Sequence, residues 1–261
     1  ALSFTAIFAN FLAPYDPVEI NLRDSMTPPA WAEGGTNEHW LGTDFLGRDQ
    51  LSRLIFGARV SLSISALAMV FSITFGAFLG VVSGYFAGKF DSFLMRVVDI
   101  NLAFPGILIA IVLSVLYGPS FRNVVLIITF VYWARVARIV RGEALALRSQ
   151  DYVTLARLAG ASGARIMWKH ILPGVIPVIL VLATLELGSV ILFEASLSFL
   201  GVGLPPPRPS WGVMVSDGRG QLTTGWWISL FPGLAILLLV LAFNQFGDWL
   251  RDRSDPRLQQ L

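Results

Sequence analysis

The chain alternates long apolar runs with short polar segments. Counted between consecutive charges, positions 60–88, 100–121 and 220–247 are uninterrupted, and a fourth run reaches from 171 to 201 if Glu186 and Glu194 are accommodated within it. A membrane-crossing helix needs roughly 20 consecutive apolar residues, so each run is long enough to span a bilayer. A shorter run at 123–134 qualifies if its helix continues to Val140 with Arg135 and Arg138 snorkelling at its end. The first twelve residues, ALSFTAIFANFL, reach only part way across and are read as the outer end of a first helix, truncated at 1–12. The pattern predicts one all-α integral membrane domain over 1–261. It has six transmembrane helices: the truncated first, then spans near 60–83, 100–118, 122–140, 172–200 and 227–247.

The connecting segments fix the orientation. Segment 135–170 carries seven Lys/Arg and two acids, whereas 13–59 carries four Lys/Arg and seven acids. Positive charge collects on the cytoplasmic side of a membrane. The loop 141–171 is therefore expected inside, the loop 13–56 and a second loop at 202–226 outside, and both termini in the cytoplasm.

Composition agrees with a lipid-facing surface. The chain is 55% hydrophobic and 14% charged, with mean hydropathy +0.68, where a soluble domain is about a quarter charged. Net charge is only +2 and cysteine is absent, which gives no basis for nucleic-acid binding, a disulfide framework or a thiolate metal site.

The loops differ in character. The first is rich in proline turns (APYDP, TPPAWAEGG), and the second contains LPPPRPSWG, whose consecutive prolines favour stiff, extended chain. The inner loop, RSQDYVTLARLAGASGARIMWKHILPG, reads as helix, break, helix. Ser149 or Asp151 can cap the first helix, Gly160 ends it, Ser162 can cap the second, and Pro173 stops that one. Tyr152, Leu155, Ala156 and Ala159 fall on one face of the first. An amphipathic helix leaving a membrane bundle needs either a protein partner or the lipid headgroups to cover that face.

In this loop Gly160 is followed, after nine residues, by His170-Ile171-Leu172-Pro173. The spacing resembles the cytoplasmic motif of ABC importer permeases, in which Glu-Ala-Ala, three residues and Gly lead after nine more to Ile-x-Leu-Pro. Thr154-Leu155-Ala156 stands where Glu-Ala-Ala is expected. HWLGTDFLGRDQLSRLIFGARVSL, GYFAGKFDSFLMRVVDINLAFPG, EASLSFLGVGLPPPRPSWG, FPGLAILLLVLAFNQFGDWLRD and a final DPR (255–257) also resemble, in order, the C-type permease of dipeptide and oligopeptide importers. The resemblance implies a bacterial inner-membrane location and a B-type permease as partner. It also implies two ABC ATPase subunits that carry ATP and Mg, and an extracytoplasmic solute-binding protein. Tyr152, Thr154, Leu155, Ala156, Leu158, Ala159, Gly160, Ala161 and Ser162 would form the ATPase-coupling helix and its end, although Thr154 cannot pair with a basic ATPase residue as a glutamate would. Relatives of this type carry peptides, nickel complexes, glutathione or opine-type compounds, so the solute stays open.

No phosphate-binding loop is present. The nearest string, Gly84 to Phe90, has three residues between its glycines and Phe after the lysine, and its glycines are read as helix-packing positions. The two histidines, His39 and His170, fall on opposite sides of the membrane and cannot share a catalytic or metal site, so no catalytic residue is assigned. The rival reading is a secondary transporter or channel not driven by ATP, which would transport without an ATPase. Within the spans, Glu186 and Glu194 lie about 80° apart on one helix and are candidates for the translocation path. Arg96 and Asp99 have helical ion-pair spacing. Asn244, Gln245 and Asp248 are expected to cap the last span. Asp44, Arg48 and Asp49 either contact the binding protein or fold on themselves.

Overall fold

A computed structural model of the chain describes residues 2–254; the DPR motif at 255–257 lies outside them. The described residues form helices α1 (Leu2–Ile7), α2 (Ala9–Leu12), α3 (Gln50–Phe86), α4 (Gly88–Ala103), α5 (Gly106–Tyr117), α6 (Phe121–Arg148), α7 (Asp151–Leu158), α8 (Gly163–Ile166), α9 (Leu172–Phe199), α10 (Trp211–Gly218) and α11 (Trp227–Ser254). Among them the only β pairing is a single bridge between Thr43 and Asp49. Four continuous helical stretches are long and apolar enough to cross a membrane: α3, α6, α8 through α9, and α11.

The centre of the fold is the crossing of α3 and α6. Small residues recur every fourth position on α3, at Ala68, Ser72, Gly76, Gly80 and Gly84, and all are buried. A Cβ at Gly76 would stand 2.6 Å from the Trp133 carbonyl oxygen, and one at Gly80 would stand 2.7 Å from that of Ala137. A Cβ at Gly84 would stand 2.7 Å from the Ala144 Cβ. The two backbones therefore touch, as small-residue stripes permit where lipid supplies no hydrophobic drive for helix association. Val136 and Val140 of α6 fill the grooves between the glycines.

Four features of the sequence reading are corrected. The run 100–118 is not one straight helix, because α4 and α5 meet at an 88° bend. Phe104 adopts extended backbone just before Pro105, since proline disfavours the helical conformation in the residue that precedes it. Pro173 does not stop the second inner helix: the chain runs from α8 through a π-helical turn, Met167–Ile171, directly into α9. Proline is tolerated there because the π-helical turn just before it already departs from the regular i→i−4 pattern that a proline interrupts. Asn244, Gln245 and Asp248 do not cap the last span, because α11 continues to Ser254. Asn244 instead abuts α9, its Oδ1 3.0 Å from where a Cβ on Gly188 would be. Of the two glycines in Gly84-Tyr-Phe-Ala-Gly88, only Gly84 is a packing position. Gly88 has φ +68° with open space around it and turns the chain from α3 into α4.

The crossing yields a direct test. Gly80→Leu drives a branched side chain into the Ala137 carbonyl, and overpacking of this kind costs about 1–3 kcal/mol or more. Gly142→Ala, on the same helix pair but facing open space, should leave stability unchanged. Thermal melting of the purified protein should separate the two variants, and equal melting temperatures would refute the close-contact reading.

Candidate functional site

The candidate chemistry lies on α7 and the turns around it, on a series of charges along α6, at Glu194, and in the loop that leads into α3.

Helix α7 is fastened on one side only. Val153 is fully buried among Val140, Ala144, Ile166 and Ile171, while Tyr152, Leu155 and Leu158 are exposed, the last two at 64% and 81%. Thr154 and Ala159 are also exposed, and Ala156 is half-buried. The helix ends in a Schellman motif. Gly160, at φ +80°, donates to the Arg157 carbonyl and Ala161 to that of Ala156, a geometry that favours glycine at the left-handed position. Ser162 accepts a hydrogen bond from the Arg165 N–H at 3.4 Å and starts α8. At the other end the expected cap is absent: Gln150 precedes α7 without a side-chain bond, and the Ser149 hydroxyl turns back to donate to the Ala146 carbonyl. The turn seats itself on α3, where a Cβ at Gly163 would lie 3.0 Å from the Tyr85 hydroxyl. An apolar ridge thus stands on a base continuous with the α3–α6 core.

The arginines of α6 do not snorkel, since the helix runs beyond them to Arg148. Arg135, Arg138 and Arg141, three residues apart, each meet a carboxylate from another element. Arg135 Nη1 donates to both Glu186 oxygens at 3.1 and 3.3 Å, and Arg138 donates to Asp99. Arg141 grips Asp91 through Nε and Nη2 at 2.9 and 2.6 Å. Asp99 therefore pairs with α6 rather than with Arg96, because side chains on packed helices meet across the contact more closely than along one surface.

Glu186 and Glu194 do not come together. Glu194 is fully buried, accepts from Ser198 Oγ at 2.8 Å, and has the Ser61 and Ser210 hydroxyls beside it. Ser210 in turn caps α10, so Glu194 ties α9 to α3 and α10.

In the loop that leads into α3, Asp44, Arg48 and Asp49 are buried and the loop folds on itself. Asp44 accepts from Arg48 Nε at 2.7 Å, and Arg53 reaches Asp217 before α11 at 3.0 Å. Burial raises the Asp217 carboxyl above its ordinary range against the pull of Arg53 and Arg48. Asp49 caps α3 through the Ser52 N–H and holds His39 at 3.0 Å. Trp227 Nε1 donates to the Thr43 carbonyl and Gln50 Nε2 to that of Ile228, which clasps the loop to the start of α11. The sequence reading missed the arginine series and the Arg53–Asp217 clasp. Arginines at i, i+3 and i+6 inside an apolar helix are the signal that could have revealed the first, because charges at that depth require partners or water.

Residues 72–260 match the family model described as "Binding-protein-dependent transport system inner membrane component". The chain belongs to this family: it is an inner-membrane permease component of an ATP-driven ABC importer. Among characterised relatives, it is 49% identical over 258 residues to the dipeptide transport system permease protein DppC of Escherichia coli K12, covering 98% of this chain and 86% of the relative. It is 44% identical over 257 residues to the di/tripeptide transport system permease protein DppC of Pseudomonas aeruginosa, covering 98% and 84%. In fold it is similar to a chain of the MetNI methionine ABC transporter in an inward-facing conformation, with TM-score 0.63, 18% identity, and coverage of 78% of this chain and 96% of that one.

The clasp between this loop and α10 can be tested independently of transport. Arg53→Met removes the most deeply buried cation of the cluster and leaves Asp44 and Asp217 to share Arg48 alone, and removing one partner of a buried pair costs about 3–5 kcal/mol. The variant should melt markedly lower than the parent, and an unchanged melting temperature would show that the clasp does not hold the outer loop.

Proposed function

We propose that this chain moves di- or oligopeptides across the inner membrane, paired with a B-type permease and driven by two ABC ATPase subunits that carry ATP and Mg. An extracytoplasmic solute-binding protein would deliver the solute. Peptide as solute is supported by the dipeptide and di/tripeptide relatives, which match nearly the whole chain.

Six spans fit this reading if α1 and α2 form the end of the first and the bent α4–α5 pair is the third. The others are α3, α6, α8 through α9, and α11. Both termini and the coupling loop 141–171 are then cytoplasmic, and loops 13–56 and 202–226 are extracytoplasmic. Glu186 belongs to the path through its partner Arg135, whereas Glu194 serves as a joint inside the subunit.

The observation that carries the coupling assignment is the exposed ridge Tyr152, Leu155 and Leu158 on a helix anchored by Val153. Force from an ATPase reaches the membrane only through a rigid contact with discrete arrangements. The α7 base is continuous with the α3–α6 crossing, so a push on the ridge is delivered to the core. Covering Leu155 and Leu158 would contribute about 1.5–3 kcal/mol each.

Leu155→Asp places a charge in that contact without disturbing the buried side of α7. The variant should insert normally yet lose ATPase subunits on purification, or hydrolyse ATP without uptake. Normal assembly together with normal uptake would overturn the coupling role and leave α7 as a helix lying on lipid headgroups. Orientation is tested by single cysteines at Thr36 and Ser216, in a chain with no native cysteine. A membrane-impermeant thiol reagent should label both from the periplasmic side, and labelling only from the cytoplasmic side would reverse the topology.

A further inference from the structure

Arg135 and Arg138 are paired, yet neither is enclosed. Their side chains are 57% and 49% exposed, and Asp99 is 62% exposed. Arg135 stands fourteen residues past Phe121, the first residue of α6. At 1.5 Å per residue that is about 21 Å along the helix, inside a hydrocarbon layer about 30 Å thick. Ionised side chains at such depth face protein or water rather than lipid.

The surroundings show why this face is open. Below the bend, Asn101 Nδ2 donates to the Phe130 carbonyl at 3.1 Å, and a Cβ at Gly106 would lie 2.7 Å from Val131 Cγ1. Helices α4 and α5 therefore diverge at the level of Phe130, one turn outward from Arg135. Helix α9 closes the other flank, with the Tyr132 hydroxyl donating to the Ser189 carbonyl at 3.1 Å. Between these flanks α6 presents Arg135, Arg138 and Ile139 outward.

Each guanidinium keeps donors in reserve. Arg135 bonds Glu186 through Nη1 alone, and Arg138 bonds Asp99 through Nη2 alone. A planar guanidinium offers five N–H donors in a fork suited to carboxylate. The free edges can receive an anionic group, while the exposed Asp99 can receive a cationic one. That is the charge pattern of a zwitterion.

We propose that the open edge of Arg135 and Arg138 is a carboxylate-binding element on a water-filled path, taking the C-terminal carboxylate of the passing peptide while Asp99 takes its ammonium group. This rests on the reading of the chain as a peptide-importer subunit. Arg135 keeps its Nη1 bonds to Glu186 and receives the carboxylate on its free edge, while Arg138 exchanges Asp99 for the carboxylate and Asp99 takes the ammonium group, so no charge is left unpaired during passage.

The test uses the whole transporter in everted inner-membrane vesicles, with Ile139→Cys as reporter and Leu126→Cys, on the same helix near Tyr117 and Phe130, as control. A charged methanethiosulfonate reagent should modify Cys at 139 at least ten-fold faster than at 126. Dialanine should slow the reaction at 139 five-fold or more, and dialanine amide should not. Adding Arg138→Gln, whose partner Asp99 is already exposed, or Arg135→Gln with Glu186→Gln, should abolish the protection, read for each variant as the ratio of its own labelling rates with and without dialanine. Equal rates at 139 and 126 would overturn the inference, since lipid or the second permease would then cover the face. Equal protection by the amide, or protection that survives both sets of substitutions, would overturn it as well. ATP-driven dialanine uptake by the unmodified transporter is measured in parallel. Its absence would refute the peptide reading itself, whereas uptake without the labelling pattern would refute only the carboxylate element.

Discussion

The contact between α3 and α6 governs the rest of the molecule. In a bilayer the lipid chains are as apolar as leucine, so helices associate through close packing and polar bonds rather than through expulsion of water. Glycines at every fourth position of α3 remove the side chains that would hold the backbones apart, and Val136 and Val140 fill the space between them. That contact fixes the rotation of α6 about its own axis. With Trp133, Val136, Ala137 and Val140 committed to buried positions, Arg135 and Arg138 are turned toward the side where α9 and α4 pass.

Rotation alone does not keep charges at that depth. Each arginine also needs a carboxylate, and these come from two separate elements, Asp91 and Asp99 from α4 and Glu186 from α9. Membrane depth makes pairing stringent, because an unpaired ion would be stabilised by neither water nor protein. The same logic operates at Glu194, whose hydroxyl neighbours are drawn from α9, α3 and the turn before α10. Polar groups in this fold therefore act as joints between helices, and the exposed pairs on α6 are the places where a joint also faces outward.

The region around α7 continues the same frame. Val153, Ile166 and Ile171 extend the core into the loop between α6 and α9, so α7 is part of a solid body rather than a tethered segment. The π-helical turn at Met167–Ile171 lets the chain enter α9 without a break. The loop before α3 is secured in a comparable way, by its clasp on α10 and α11.

Much of this was legible in the residues. The apolar runs located α3, α9 and α11, Gly160 and Ser162 marked the turn beyond α7, and the ordered motifs pointed to the family before any coordinates. Those signals are local, since they depend on residues within a few positions of one another and on how the backbone responds to glycine, proline or a capping hydroxyl. The partners of Arg135, Arg138, Arg53 and Glu194 were not legible. They lie from 39 to 164 positions apart in sequence or across three elements, and which side chains meet depends on how far each helix is turned about its axis. The 88° bend before Pro105 belongs to the same class: the apolar run reads as one span, and the angle follows from α4 and α5 each packing against α6. Sequence fixes which face of a helix is apolar; only the assembled fold decides which charge that face's neighbour presents.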